Sequence, residues 1–202
     1  MATVPSQLSL FPAGPSPELP DGLIYREDYI TGRDADGLLA AVDASPWRAD
    51  LKRRVQHYGY KYDYKARQAR IEDRIGPLPV FLERVAARLA REDVFSQTPD
   101  QVIVNEYLPG QGISAHIDCR PCFGDTIAIL SLGSACVMRF AHRPSSRTVD
   151  LALRPLGLLT ISGEARNEWT HAIPARQSDV IDGERHLRSR RVSLTFRTMR
   201  FE

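Results

Sequence analysis

Seven short runs rich in apolar and β-branched residues occupy much of the chain between residues 102 and 197, and turn-forming residues separate them. Runs of this length and composition are typical of β-strands. The Gly133-Ser134 pair between the second and third runs predicts a hairpin turn. So many short strands in succession favour an antiparallel sandwich or barrel. The predicted strands are Val102–Tyr107, Thr126–Leu132, Ala135–Phe140, Thr148–Leu153, Gly157–Ser162, Glu168–Ile173 and Val192–Arg197.

Two helices are predicted ahead of these strands. A short strand at residues 23–25 comes first, and Asp34 or Asp36 can cap a helix through residues 38–42. A second helix is predicted from Pro77 to Arg91, where apolar residues recur every three or four positions and form one stripe. We expect this stripe to cover the back of a sheet. The fold class is therefore α+β.

The length and composition predict one soluble domain. The 202 residues suit a single core, and we expect residues 21–202 to form it as a monomer, preceded by a flexible, Pro-rich tail at residues 1–20. No apolar run is long enough to cross a membrane, and the first residues lack the pattern of a secretion signal. Three cysteines, an odd number, argue against a disulfide framework and for a reducing cytoplasm. The net charge of +2 does not by itself indicate a nucleic-acid partner.

The chemistry is concentrated just after the first of the seven strands. Gly110 and Gly112 break that strand, and His116 and Asp118 follow, two residues apart. In extended chain such residues point to the same side. An imidazole and a carboxylate are both common metal ligands. Two histidines and one carboxylate on one face of an ion are the ligand set of non-haem Fe(II) oxygenases, so a second histidine is required.

Four histidines are candidates for the third ligand. His142 and His186 lie in polar turns, and His57 lies upstream in a basic segment. His171 lies in an apolar, strand-like run after the first two ligands, and a strand of a barrel can direct such a side chain at a neighbouring strand. The alternative is a structural core histidine. The pair at residues 116 and 118 favours the metal ligand.

Two arginines near the end of the chain are candidates for an anion site. Arg191 and Arg197 are six residues apart on one predicted strand, so they share a face. Arginine pairs bidentately with carboxylates, and this spacing suits a short dicarboxylate held at both ends. Asn105 and Tyr107, also on one face, can donate hydrogen bonds to the same anion. The alternative is an edge strand with two solvated arginines.

The segment from Lys52 to Arg70 is basic and rich in tyrosine. It contains seven Lys and Arg residues and one acid, Asp63. If the segment is extended, its alternating tyrosines line one face, as a surface that stacks bases and holds phosphates requires. The alternative is a half-buried strand with a charged outer face. The alternating residues are Tyr58, Tyr60, Tyr62 and Tyr64.

Together these motifs resemble the AlkB family of Fe(II)/2-oxoglutarate dioxygenases. The similarity covers about residues 21–200 and lies in Asn-x-Tyr with Pro-Gly, His-x-Asp, a distal histidine and Arg-x5-Arg, in that order. It implies a double-stranded β-helix, or jelly roll, with the two N-terminal helices packed on the back of the major sheet. It also implies that the cofactors are Fe(2+), 2-oxoglutarate and O2. The implied iron ligands are His116, Asp118 and His171, and the implied 2-oxoglutarate residues are Asn105, Tyr107, Arg191 and Arg197.

Several short stretches of the sequence resemble one branch of the family more than the others, the AlkB-type domain of tRNA wobble-uridine modification enzymes. The matching stretches are residues 106–113, 163–166 and 193–197, and residues 53–59 resemble that branch's nucleotide-facing lid. Two residues past Asp118, where repair enzymes often carry an acid that contacts the damaged base, this chain has Arg120. The residues implied to contact substrate are Arg54, Tyr58, Tyr60, Tyr62 and Arg120.

The resemblance implies a nucleic-acid partner, either single-stranded DNA or RNA and possibly tRNA. The leading hypothesis is oxidative demethylation of alkylated nucleobases in DNA or RNA, as in nucleic-acid repair. The alternatives are hydroxylation of a modified tRNA wobble base, demethylation of a protein, or a non-catalytic nucleic-acid-binding module on a jelly roll. Cys119 and Cys122, which directly follow Asp118, are expected to be ordinary loop thiols, with a redox switch or a zinc site as alternatives.

Overall fold

The computed structural model describes residues 18–49 and 51–201, and these residues form two facing β-sheets with helices outside one of them. The predicted tail lies almost wholly outside the described residues. The helices are α1 (Gly32–Asp43), α2 (Val80–Arg91) and α3 (Gly163–Asn167), with a 3-10 turn at Ile71–Asp73. The strands are β1 (Leu23–Arg26), β2 (Val55–Tyr58), β3 (Gln101–Tyr107), β4 (Ile113–His116), β5 (Phe123–Gly133), β6 (Cys136–His142), β7 (Thr148–Leu153), β8 (Leu158–Ile161), β9 (Trp169–Ile173), β10 (Ser178–Ile181), β11 (Glu184–Leu187) and β12 (Arg191–Met199).

The major sheet has six strands in the order β1-β8-β5-β12-β3-β2, and the minor sheet has four in the order β4-β9-β6-β7. Every strand pairing in the described ranges is antiparallel. Strand β5 shows how the layers form, because Ile127 and Ile129 join the core that also contains Phe140 and Trp169 of the minor sheet. Ala128 and Leu130, on the other face of β5, join a second core. The predicted antiparallel sandwich is confirmed.

The second core lies between the major sheet and the helices. Leu38 and Val42 of α1 and Leu82 and Leu89 of α2 share one apolar cluster with residues of β3, β5, β8 and β12. The 3–4 spacing of the apolar residues in α2 places them on the face that this cluster buries. This arrangement covers one face of the major sheet and leaves the other face for the minor sheet.

The helix ends differ from the predicted ones for local reasons. Thr31, not Asp34 or Asp36, is the N-cap of α1, and Asp34 instead completes a capping box with it. Helix α2 begins at Val80 rather than at Pro77, with Pro79 as its N-cap. A residue before proline disfavours helical backbone, so Leu78 cannot lie inside the helix.

Gly133 and Ser134 do not form the predicted hairpin turn. Strands β5 and β6 belong to different sheets, so the pair carries the chain from one layer to the other. Ser134 N donates to Arg190 O at 2.9 Å. Gly133 has a φ of +78°, and a Cβ there would lie 2.4 Å from Arg190 O. The turn is therefore built around a close approach to the residue that precedes β12.

The hairpin of β10 and β11 was not predicted, although the sequence carries its signal. Asp182 and Gly183 join the two strands, and both have positive φ. Asp-Gly is a strong signal for a two-residue hairpin turn. Strand β11 is exposed throughout, and β10 buries the charged Asp179 while it exposes Val180, so neither strand shows the apolar alternation of a half-buried strand. In the described part of the chain, no helix is both long and apolar enough to cross a membrane.

Candidate metal centre and co-substrate cavity

The candidate metal ligands come together where β4 pairs with β9. His116 on β4 is the direct cross-strand partner of His171 on β9, and the two ring centroids are 4.4 Å apart. Asp118 follows β4, and its Oδ1 lies 3.9 Å from His116 Nε2. One ligand atom from each of the three residues lies within 4.8 Å of the others. Such a group suits an ion that is bound on one face and open on the other.

The electrostatic environment keeps this group in the protonation states that a metal requires. His116 Nδ1 is 2.8 Å from Ser114 O, which favours a proton on Nδ1 and leaves Nε2 as the free lone pair. Burial and the neighbouring His116 lower the pKa of His171 to about 3, so its ring is neutral at physiological pH. Burial raises the pKa of the Asp118 carboxyl, but Arg197 and the two histidines outweigh that effect and keep it below its ordinary value.

Two arginines hold Asp118 from different sides. Arg197 Nη2 donates to Asp118 Oδ1 at 3.1 Å, and Arg166 Nη1 donates to the backbone oxygen of Asp118 at 2.9 Å. The other carboxylate oxygen, Oδ2, is buried and has no hydrogen-bond partner among the described residues. A buried, charged oxygen without a partner is costly unless it binds a cation. This oxygen, with the neutral ring of His171 and Nε2 of His116 beside it, fits an Fe(2+) ion.

A cavity of about 610 Å³ opens over the triad. Asn105, Tyr107, Arg191 and Arg197 all line it, as the predicted co-substrate residues should. Arg191 Nη2 donates to Ser131 Oγ at 3.0 Å, and Arg197 Nη1 donates to Gln101 Oε1 at 3.2 Å.

Within the described ranges, the Nε atoms of both Arg191 and Arg197 are buried without a hydrogen-bond partner. Burial raises the pKa of the Tyr107 hydroxyl, which therefore stays a hydrogen-bond donor. Two buried guanidinium groups with donors to spare and a phenol fit a dicarboxylate such as 2-oxoglutarate.

The rest of the cavity wall comes from the basic, tyrosine-rich segment and from the residues around the triad. Tyr62, one of the predicted substrate residues, lines the cavity. Tyr64, which has a buried hydroxyl without a partner in the described chain, also lines it. The contributions of the segment to the wall are Leu51, Lys52, Arg53, Tyr62, Tyr64 and Arg67. Of these residues, the predicted substrate set included only Tyr62.

Four of the five predicted substrate residues do not line this cavity. Arg54 donates two hydrogen bonds to Glu106 and lies over the ring of Trp47. Tyr58 packs edge-on against Phe81 of α2, on the helix side of the sheet. The two others, Tyr60 and Arg120, are absent from the wall as well, and Tyr60 packs against Phe201.

The four tyrosines do not share one face because the strand ends early. Strand β2 stops at Tyr58, and Gly59 follows with a φ of +76°. A Cβ at Gly59 would lie 1.8 Å from Asp100 O, so the chain bends where it touches the neighbouring strand. Asp63 then accepts from the backbone of Lys65 and Ala66 and forms a turn. Side chains therefore alternate between the two faces of the sheet only up to Tyr58, where β2 ends.

The expectation of ordinary loop thiols is wrong, because Cys119 and Cys122 form a disulfide. It closes the turn that begins directly after Asp118, and Arg166 Nη2 donates to the oxygen of Cys119 at 3.3 Å. Cys136 is the free cysteine of the described residues and is buried in its strand as a packing residue. The spacing of two residues between Cys119 and Cys122 does not by itself distinguish free thiols, a disulfide and a metal site.

The sequence matches the model of a protein family described as the 2OG-Fe(II) oxygenase superfamily over residues 44–197. This chain belongs to that superfamily. A 2OG-Fe(II) oxygenase uses Fe(2+), 2-oxoglutarate and O2, which agrees with the predicted cofactors. The chain is therefore an enzyme of this class, and the alternative of a non-catalytic binding module is dropped.

Similar proteins place this oxygenase among the AlkB-like members. It is 39% identical to an alkylated DNA repair protein ALKBH8 homolog of Arabidopsis thaliana, over 89% of this chain and 58% of that protein. It is 36% identical to the Xenopus tropicalis tRNA (carboxymethyluridine(34)-5-O)-methyltransferase alkbh8, over 92% of this chain and 33% of that protein. This oxygenase thus spans about half or less of the length of these two relatives.

Solved structures share the fold of this oxygenase at low sequence identity. The structure of OsALKBH1 has a TM-score of 0.67 and 15% identity, over 90% of this chain and 98% of that chain. A Pseudomonas putida prolyl-4-hydroxylase has a TM-score of 0.58 and 16% identity, over 90% of this chain and 94% of that chain. These likenesses support the jelly roll that the two facing sheets form.

Proposed function

We propose that this 2OG-Fe(II) oxygenase oxidises a carbon substituent of a modified nucleobase, and that RNA carries the base. The observation that supports the proposal is the composition of the cavity over the triad. Beyond the candidate ligands and the candidate 2-oxoglutarate residues, its wall contains two tyrosine rings and three cations. Aromatic rings stack on bases and cations hold phosphates, so this wall suits a base presented from a single strand or loop.

In this proposal His116, Asp118 and His171 hold the iron, and Asn105, Tyr107, Arg191 and Arg197 bind 2-oxoglutarate. Iron, 2-oxoglutarate and O2 together supply the oxidising power that replaces a C–H bond of the substrate by C–OH. The protein contributes position and charge. Arg197 orients the carboxylate of Asp118, and the buried arginine side chains provide fixed positive charge that needs no rearrangement.

The charge of the wall bears on the kind of base. Lys52, Arg53 and Arg67 are cations, and Asp118 is the one carboxylate among the described residues that line the cavity. A positively charged methylated base would lie near these cations in an environment where charges interact more strongly than in water. The positive charge of such a base would be repelled by the cations, whereas a neutral base is not repelled. The wall therefore favours a neutral modified base, such as a substituted uracil, over a cationic lesion.

Two relatives support different bases, neither of them cationic. The name of the Xenopus relative concerns a modified uridine of tRNA, so hydroxylation of a wobble-base substituent is the first candidate. A Caenorhabditis elegans relative, 23% identical over 88% of this chain, is named a DNA N6-methyl adenine demethylase. Demethylation is the second candidate, because hydroxylation of an N-methyl group gives a hemiaminal that releases formaldehyde. The cavity, with its rings and cations, suits either base.

The test is a nucleoside assay with the full chain, iron(II), 2-oxoglutarate and air. The substrates are tRNA with modified wobble uridines, single-stranded DNA with N6-methyladenine and single-stranded DNA with cationic N1-methyladenine. Mass spectrometry of the digested nucleosides should show a new hydroxylated uridine, with N1-methyladenine processed least. His171→Ala is the inactive control. No change in any nucleoside would remove the nucleobase proposal, and a preference for N1-methyladenine would contradict the charge argument.

A further inference from the structure

Arg53, one of the cations that line the cavity from the basic segment, also contacts a candidate 2-oxoglutarate residue. We propose that Arg53 is a positioning residue that sets the side-chain amide of Asn105 for 2-oxoglutarate and thereby couples the substrate wall to the co-substrate. This inference rests on the assignment of Asn105 to 2-oxoglutarate in the proposed function. It concerns the binding of the co-substrate and does not depend on which nucleic acid is the substrate.

The contact that carries the inference is a hydrogen bond between two side chains. Arg53 Nε donates to Asn105 Oδ1 at 2.8 Å. An asparagine side chain has one acceptor oxygen and two N–H donors. With its oxygen held by Arg53, Asn105 offers its N–H donors to a third group. A carboxylate accepts hydrogen bonds and is repelled by an amide oxygen, so Arg53 selects the amide orientation that a carboxylate needs.

Arg53 also lies between the two parts of the cavity. Its guanidinium carbon is 5.8 Å from the ring centroid of Tyr107, a candidate 2-oxoglutarate residue, and 6.0 Å from that of Tyr64, on the substrate wall. In the described chain Arg53 forms no ion pair with a carboxylate. Because Arg53 lines the cavity, its charge can attract an anion there.

The strand geometry explains why Arg53 faces the cavity and its neighbour does not. Consecutive residues of extended chain point to opposite sides. On β3, Asn105 lines the cavity. Glu106 points to the opposite side, where Arg190 donates to it and to Asp43 at the end of α1. The two arginines before β2 follow the same alternation, because Arg53 donates to Asn105 and Arg54 donates to Glu106. Arg54 is therefore a matched control for Arg53.

Coupling follows from this placement. If the Arg53–Asn105 bond strengthens 2-oxoglutarate binding, then bound 2-oxoglutarate must stabilise that bond by the same factor. The bond joins β3 to the segment that supplies Tyr62, Tyr64 and Arg67 to the wall. The co-substrate should therefore order residues 51–67 before any nucleic acid binds.

The experiment compares Arg53→Met, Arg53→Lys and Arg54→Met with the wild-type chain. Methionine keeps much of the length of the side chain but donates no hydrogen bond, whereas lysine keeps a donor and the charge. We expect Arg53→Met to weaken 2-oxoglutarate binding about tenfold, the size of a lost bond to a charged or polarised group. Arg53→Lys should retain most of the affinity, and Arg54→Met should bind as the wild type does. Affinity is measured by anaerobic calorimetry on the iron(II)-loaded protein, and circular dichroism checks that each variant is folded.

A second measurement reports on the wall itself. Hydrogen exchange of residues 51–67 should slow when 2-oxoglutarate is added to the wild type or to Arg54→Met, and should not change in Arg53→Met. Wild-type affinity in Arg53→Met, or equal protection in all variants, would overturn the proposal. Neither readout uses nucleic acid. A negative result in the nucleoside assay would therefore not contradict this inference. Likewise, wild-type affinity in Arg53→Met would not contradict the nucleobase proposal.

Discussion

At the scale of single residues, the site depends on how buried charges are matched. Asp118 is buried with His171 and Arg197 and lies beside the half-buried His116, so its negative charge has positive or polar neighbours on several sides. His171 is neutral because it is buried beside other polar groups and because a proton on it would be close to His116. Among the described residues, a buried carboxylate whose second oxygen has no hydrogen-bond partner, beside two imidazoles, forms a receptor for a cation, not a stabilising ion pair.

His171→Ala should abolish the weak visible charge-transfer band that forms when iron(II) and 2-oxoglutarate are added without oxygen. The reason is the loss of one of three protein ligands, which an open site cannot replace. The matched control is His142→Ala on the same sheet, whose ring contacts Ser145 and Glu168 rather than the triad. Its band should equal that of the wild type. A band of full strength in His171→Ala would show that the ligand assignment is wrong.

At the scale of the elements, the end of β2 decides which aromatic side chains reach the cavity. Gly59 terminates the strand because its backbone has positive φ and lies against Asp100 O. The residues after it form a turn that returns Tyr62 and Tyr64 toward the triad. The tyrosines alternate in the sequence, but they do not form one aromatic face because the strand ends before Tyr60.

Gly59→Ala should destabilise the protein by about 3 kcal/mol, since it adds both backbone strain and a steric clash. The change should also weaken any function of the wall. Gly37→Ala in α1 is the control, because a Cβ there meets nothing within 4 Å. Alanine in an exposed helix interior should instead stabilise by about 1 kcal/mol. Urea unfolding of the two variants measures both effects, and equal stability would contradict this account of the turn.

At the scale of the whole molecule, one ionic network joins the helix layer to the sheets. Buried Glu106 of β3 accepts hydrogen bonds from Arg54 and Arg190, and Arg190 also pairs with Asp43 at the end of α1. Hydrogen bonds from Arg54, against the cost of burial, keep the pKa of Glu106 below its ordinary value. The network therefore stabilises the fold while this carboxyl is ionised.

This network predicts part of the dependence of stability on pH. Because the pKa of Glu106 is lower in the folded state, its contribution is complete above the unfolded value, about 4.3, and is lost as the pH falls through the folded value. Glu106→Gln should cost about 2 kcal/mol at pH 7, and the difference from the wild type should shrink toward pH 3. Urea unfolding across this range measures it. Exposed Glu83→Gln is the control, and a difference that grows on acidification would contradict the assignment.

Much of the fold could be read from the sequence because its strands carry local patterns. Strand β5 contains a continuous apolar run and β12 alternates apolar and polar residues, and neither pattern requires knowledge of distant residues. The hairpin of β10 and β11 was missed because its strands lack such a pattern: β10 buries a charged residue and β11 is exposed throughout. The partition of strands between two sheets was also missed at Gly133, since the sequence around a turn does not state which strand will be its neighbour.

The sequence by itself determined the chemistry of the candidate site: two imidazoles, one carboxylate and two arginines in a fixed order on strand-like segments. These are properties of side-chain type and local period. Only the tertiary structure decided that His171 lies opposite His116, that Arg53 rather than Arg54 faces the cavity, and that Cys119 and Cys122 are joined. The physical reason is that register between strands and the course of a turn depend on contacts between distant parts of the chain.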